Sequence, residues 1–105
     1  MKFMVFTSPT EEGLKNPPSA AAYGAHVEFM RSAVDSGVIQ TALHGKGRAI
    51  FVVNADTELE VDVFFRSAPL AYQMKRVVEP LEDFFEHARR IHAYLLESDV
   101  KHGAA

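Results

Sequence analysis

The chain holds five histidines and no cysteine, so proton transfer is within its reach and thiolate chemistry is not. Histidine gives and takes protons near neutral pH, with a reference pKa of about 6.5. His26 lies between Tyr23 and Met30, beside apolar residues spaced like one face of a helix. His44 ends an apolar run immediately before Gly45-Lys46-Gly47. Placed against a carbon acid, either can serve as base or acid, and His26 and His44 are the catalytic candidates. Candidates for holding a substrate are Tyr23, whose hydroxyl can donate to an oxyanion, and Arg48, whose planar fork suits a carboxylate. Tyr72 and Arg76 join them, four residues apart on one side of a strand-like segment. Arg76 stands between Met74 and Val78 and needs a partner, either a substrate carboxylate or a structural Asp or Glu. Each residue also has a plainer use: His26 as a boundary histidine, Tyr23 as a packed aromatic, His44 and Arg48 as solvated turn residues.

Metal and cofactor signals are missing. His87 and His92 are five apart, about 140° around a helix, and cannot share an ion. No HExxH set appears, nor any glycine-rich dinucleotide or phosphate loop, nor a G-x-S-x-G elbow. The expectation is chemistry with no metal and no organic cofactor.

The elements that must position these groups follow from local signals. Lys2 to Thr7 is β-rich and reads as a strand. Ser8 to Pro18 carries Pro9, Gly13, Asn16, Pro17 and Pro18 and reads as a long loop. Ser19 can cap the helix that follows, with Tyr23, Val27, Met30 and Val34 at helical spacing and Gly37 as its stop. Val38–His44 and Arg48–Asn54 form a hairpin around the Gly45-Lys46-Gly47 turn. Asp56 or Thr57 opens a short helix with Leu59, Val63 and Phe64 inward, ended by Ser67-Ala68-Pro69. Gln73–Glu79 is a fourth strand closed by Pro80. From Leu81 to about Glu97 the apolar residues Leu81, Phe84, Phe85, Ala88, Ile91, Leu95 and Leu96 give the strongest helical periodicity. Asp83 with His87, and Glu86 with Arg90, lie opposite as i, i+4 pairs.

The order β-α-β-β-α-β is the split-βαβ, ferredoxin-like arrangement, an α+β fold with a four-stranded antiparallel sheet and an additional C-terminal helix. One domain spans residues 1–105: a core over 1–81, the extra helix over 82–97 and a tail over 98–105. A sheet with helices on one face normally shows water a polar second face. Here Met4 and Phe6 alternate with Phe3 and Val5, and Ile50 and Val52 with Phe51 and Val53, so both faces are apolar. The simplest cover is a second copy, and a homodimer or higher homo-oligomer is expected.

Composition narrows the partners. Of 105 residues, 48% are apolar and 24% charged, which excludes a disordered chain. The formal net charge is -3 and the longest basic clusters are pairs, so nucleic acid is not an expected partner. The six residues before polar punctuation at the N-terminus are too few for a signal peptide or a membrane span, which with the absence of cysteine suggests a cytoplasmic protein.

The stretch Pro69-Leu70-Ala71-Tyr72-Gln73-Met74-Lys75-Arg76-Val77-Val78-Glu79-Pro80-Leu81, with Gly37 before the second strand and Gly47-Arg48-Ala49-Ile50-Phe51 entering the third, resembles the dimeric α+β barrel superfamily and its muconolactone delta-isomerase-like members. The resemblance implies a dimer, a pocket between sheet and helices, and a substrate arginine at Arg48. The second strand departs from the isomerases: Val38-Ile39-Gln40-Thr41-Ala42-Leu43-His44 has no Trp. Three functions follow. One is a cofactor-independent isomerase moving a proton on a small carboxylated or aromatic-derived molecule. The second is a cofactor-free monooxygenase. The third is a non-catalytic protein that binds a small ligand or assembles.

Overall fold

A computed structural model describes residues 1–101. Its elements are β1 (Lys2–Pro9), α1 (Glu11–Lys15), α2 (Ala20–Asp35), β2 (Ile39–Gly45), β3 (Arg48–Asn54), α3 (Glu58–Arg66), a 3-10 turn (Ala71–Gln73), β4 (Met74–Leu81) and α4 (Phe84–Lys101). The sheet order is β2-β3-β1-β4, every neighbour antiparallel. This is the expected ferredoxin-like α+β arrangement.

Caps set the helix starts. Thr10, Ser19 and Thr57 each accept a backbone N–H three residues on, from Gly13, Ala22 and Glu60. Asp83 does the same for α4, accepting from Phe85 and Glu86 at 3.0 Å. The β2–β3 turn has two central residues, Lys46 and Gly47, with φ of 55° and 76°, the type I′ geometry that matches strand twist.

The core lies between the sheet and the pair α2 and α3. Phe3, Val5, Phe51 and Val53 of the sheet meet Ala33 of α2 and Val61 and Phe65 of α3. Phe65 tilts against Phe51 at 5.5 Å, and Phe29 of α2 stacks on Phe64 of α3 at 5.1 Å.

Several boundaries differ from the sequence expectations. The loop after the first strand is shorter, because β1 runs on to Pro9 and Thr10 nucleates α1. The inner face of α3 is Val61 and Phe65, while Leu59 and Val63 are exposed, because the aromatic contact with Phe51 fixes the rotation of the helix. The fourth strand runs through Pro80 to Leu81. A proline fits there because β4 is an edge strand. The last helix starts at Phe84, two residues later than expected, and continues to Lys101, so 98–101 are helix rather than tail; 102–105 lie outside the described residues. His87 and Arg90 are held by Glu82, at 2.7 Å each, in place of Asp83 and Glu86. Asp83 is already engaged as the cap.

Among the described residues, α4 has no extended packing on the rest of the chain. Phe84, Phe85, Ile91, Tyr94, Leu95 and Leu96 are all exposed. The radius of gyration is 19.1 Å and the longest dimension 65 Å. A compact chain of this length would have a radius of about 13 Å. No helix among the described residues is long and apolar enough to cross a membrane.

Candidate functional site

Alternation along a strand sorts its residues by face. Phe3, Val5, Thr7 and Pro9 of β1 look toward the helices, and their partners Val78, Arg76 and Met74 on β4 do the same. On β2 a bulge intervenes: the register shifts between Ile39 and Thr41, leaving Gln40 unpaired. The extra residue reverses the parity of the strand. Ile39 pairs with Val53, but Ala42 pairs with Phe51 and His44 with Ala49, so all three share the helix-covered face. Without the bulge His44 would point out of the opposite side of the sheet.

A cavity of about 420 Å³ opens at the end of the sheet where β1 and β2 finish and β3 and β4 begin. Thr7, Ala49 and Phe51 form its floor, and Tyr23, His26, Val27 and Met30 of α2 its wall. His44 comes in from the β2 end, and Gly13, Gln73 and Met74 form the rim. The size suits a small organic molecule.

Three of the six sequence candidates, Tyr23, His26 and His44, therefore meet at this cavity. Arg48 lies elsewhere. It pairs with Gly45 on the open face of the sheet, and its guanidinium stacks over Phe6 at 4.4 Å. Tyr72 sits in the 3-10 turn rather than on the strand and is 72% exposed. Arg76 is on the helix-facing side but is engaged by Asp62 of α3, with Nε–H donating at 3.1 Å and a second, shorter bond from the terminal nitrogen. Asp62 also takes Arg66 at 2.8 Å. The Arg76 hydrogen bond, helped by the charges of Arg76 and Arg66, holds the Asp62 carboxyl below its ordinary pKa. Arg76 borders a small crevice beside His26 rather than the main cavity.

The protonation of His26 follows from its neighbours. The backbone N–H of Leu70 donates to its Nδ1 at 3.3 Å. A ring nitrogen that accepts carries no proton, so the neutral ring bears its hydrogen on Nε2. Partial burial disfavours the charged form and lowers the pKa of His26 below its ordinary value. At neutral pH His26 is thus a fixed donor through Nε2–H.

Sequence reasoning passed over Gln73 and Gly13. Gln73 is 8% exposed and is the hub between the 3-10 turn and α1. Its carbonyl accepts from the Thr10 N–H at 2.9 Å and the Thr10 hydroxyl at 3.2 Å, and its Nε2 donates to the Asn16 carbonyl at 3.0 Å. Its Oε1 is buried without a partner, a state that costs about 1–3 kcal/mol. Gly13 permits the contact: a Cβ there would lie 2.7 Å from the Gln73 carbonyl oxygen. Gly13→Ala should therefore push α1 off the turn. Alanine gains up to about 1 kcal/mol in helix propensity, but overpacking costs about 1–3 kcal/mol and the strained Thr10 bonds add to that. Urea unfolding should show a net loss of about 1–3 kcal/mol; an unchanged or raised midpoint would refute the close approach.

Among the described residues no group of three or more His, Asp or Glu side chains is placed to hold a metal.

No protein-family model matches the chain. No curated protein sequence matches it either. Among solved structures it is similar to 5-chloro-2-hydroxyhydroquinone dehydrochlorinase from Burkholderia phenoliruptrix AC1100, in complex with 2,5-dihydroxybenzoquinone. The identity is 19%, over 82% of this chain and 98% of that one, with a TM-score of 0.59. The likeness is one of fold.

Proposed function

We propose that the protein carries out cofactor-independent proton transfer on a small, largely apolar organic molecule held between α2 and the sheet. His44 takes the proton, and His26 stabilises the oxygen on which charge develops. The observation that carries this reading is the Leu70 N–H bond to His26 Nδ1, which gives the two histidines different roles. With Nδ1 taken by that bond, Nε2–H is the ring nitrogen left to act as a preorganised donor. His44, at the cavity's strand end and exposed, is placed where a base can meet a bound molecule. A base that returns the proton to a second carbon of the same molecule completes an isomerisation, in line with the muconolactone delta-isomerase-like resemblance. A fold neighbour named as a dehydrochlorinase and complexed with a dihydroxybenzoquinone supports a small cyclic substrate.

The test is solvent exchange. Lactones, enones and hydroxyquinones are incubated with the protein in deuterated water and followed by proton NMR. At least one should lose a carbon-bound proton signal, and His44→Ala should slow that loss about 100-fold or more. Exchange in none of them, or an unchanged rate in His44→Ala, would overturn the assignment.

The working unit in this reading is a homodimer. The sheet face away from α2 and α3 carries Met4, Phe6, Ile50 and Val52, with Leu43 and Val77 exposed at 61% and 57%. The exposed apolar side chains of α4 add to it. A second copy offers both surfaces their complement.

A further inference from the structure

We infer that the Thr7 hydroxyl seats the ligand: it donates to a carbonyl or enolate oxygen and sets the molecule crosswise over the sheet, with that oxygen away from His44. The inference rests on the cavity being a small-molecule site, and it adds a second donor and an orientation. Three observations carry it. Thr7 is 6% exposed and borders two spaces, the cavity and the small crevice beside it. Its hydroxyl makes no hydrogen bond to the described residues, yet it is not sealed in; among them the buried side-chain polar atom with neither access nor partner is Gln73 Oε1. The third observation is register. His44 pairs with Ala49, Ala49 with Thr7 and Thr7 with Arg76, so one rung of the sheet runs from a base across a methyl group to a hydroxyl and then a guanidinium.

Adjacent strands lie about 4.7–4.9 Å apart, so the backbones of His44 and Thr7 are about 10 Å apart with only the Ala49 methyl between them. That gap leaves room for a ring. At the Thr7 end of the rung, Asp62 is shared by Arg76 and Arg66, two guanidiniums on one carboxylate, which makes this end electropositive. An oxygen that gathers negative charge belongs there, and the carbon that yields its proton belongs at the His44 end. Thr7 and His26 border the same two spaces, so the two donors stand together. Because the hydroxyl bonds to nothing in the protein, replacing it by a methyl group removes no bond from the fold. Thr7→Val should therefore fold, and melt at or above the wild-type temperature.

Acetophenone and α-methylstyrene serve as probes, since they share a shape and differ by a carbonyl oxygen against a methylene. Each is titrated into the wild-type protein, Thr7→Val and Thr7→Ser, with the Met30 and Ala49 methyl signals followed by NMR. Thr7→Val should bind acetophenone roughly 3- to 10-fold more weakly and α-methylstyrene as the wild type does. Thr7→Ser keeps the hydroxyl and should stay near wild type for both. The carbonyl carbon signal of labelled acetophenone should move downfield on binding the wild-type protein, and move less in Thr7→Val. An affinity for acetophenone unchanged in Thr7→Val, or equal losses for both probes, overturns the role of Thr7 and leaves the cavity reading standing. A Thr7→Val protein that melts well below wild type shows the hydroxyl engaged in the fold and overturns that role too. Failure of both probes to move Met30 and Ala49 overturns the cavity reading itself.

Discussion

Ile91→Glu combined with Leu95→Glu should turn a dimer of twice the 11.7 kDa chain mass into a monomer. Both residues lie one turn apart on α4, and both are about half exposed, at 46% and 51%. Phe84, Ala88, Ile91 and Leu95 are spaced four, three and four, the repeat by which helices bury a seam against one another. Burying an Ile or Leu side chain is worth about 1.5–3 kcal/mol, so losing two of them on each copy, with charges left in their place, should weaken association at least about a thousandfold. Because α4 has no extended packing on its own chain, the monomer should keep its core. Sedimentation velocity reads the first effect, and circular dichroism with thermal melting reads the second. A wild-type chain that sediments as a single copy at micromolar concentration would remove the dimer.

His26→Ala should slow solvent exchange on a substrate about 10²–10³-fold, the usual loss when one oxyanion donor is removed. His26→Gln should recover part of this, because the amide keeps an N–H, whereas His44→Gln should recover nothing, because an amide takes no proton at neutral pH. If His26→Gln is as slow as His26→Ala, the ring moves protons itself and the division of roles fails. The lowered pKa of His26 has a second consequence. Its pKa is lower folded than unfolded, so between the two values the unfolded chain binds more protons and stability rises with pH. The stabilising effect is complete above the ordinary value of 6.5 and is lost as pH falls through that value toward the folded pKa. The melting temperature should therefore fall between pH 7.5 and 5.5, and less steeply in His26→Gln.

What the sequence shows of this fold is what local chemistry determines. Ser19 is a cap wherever a helix follows it, and Lys46-Gly47 is a tight turn wherever two strands flank it. The rotation of α3 is not local. Leu59, Val61, Val63, Phe64 and Phe65 allow more than one inner face, and the choice is made by Phe51, which comes from a different strand. The site divides in the same way. His26 and Tyr23 are legible because they ride on a clear helical stripe. His44 reaches the cavity only through a bulge at Gln40, and nothing in a run of alternating side chains announces an extra residue. Arg48 is a carboxylate-binding candidate by its side-chain chemistry, but the register of β3 puts it on the open face beside Phe6. Gln73 belongs to no motif. Its burial comes from the docking of α1, some sixty residues earlier in the chain, and the one hint of that element was Thr10 followed by two glutamates.

Pro80 has a consequence for how this surface can grow. On the edge strand β4 it offers no N–H to an incoming strand, and on the other edge the bulge at Gln40 breaks the ladder. Both borders are therefore poor templates for strand-by-strand addition, the route that leads to filaments without end. In the homodimer we propose, the apolar area is met face to face, and that geometry closes once two copies have met. In that homodimer, one imino acid and one bulge would steer a surface greasy enough to aggregate toward an assembly of finite size.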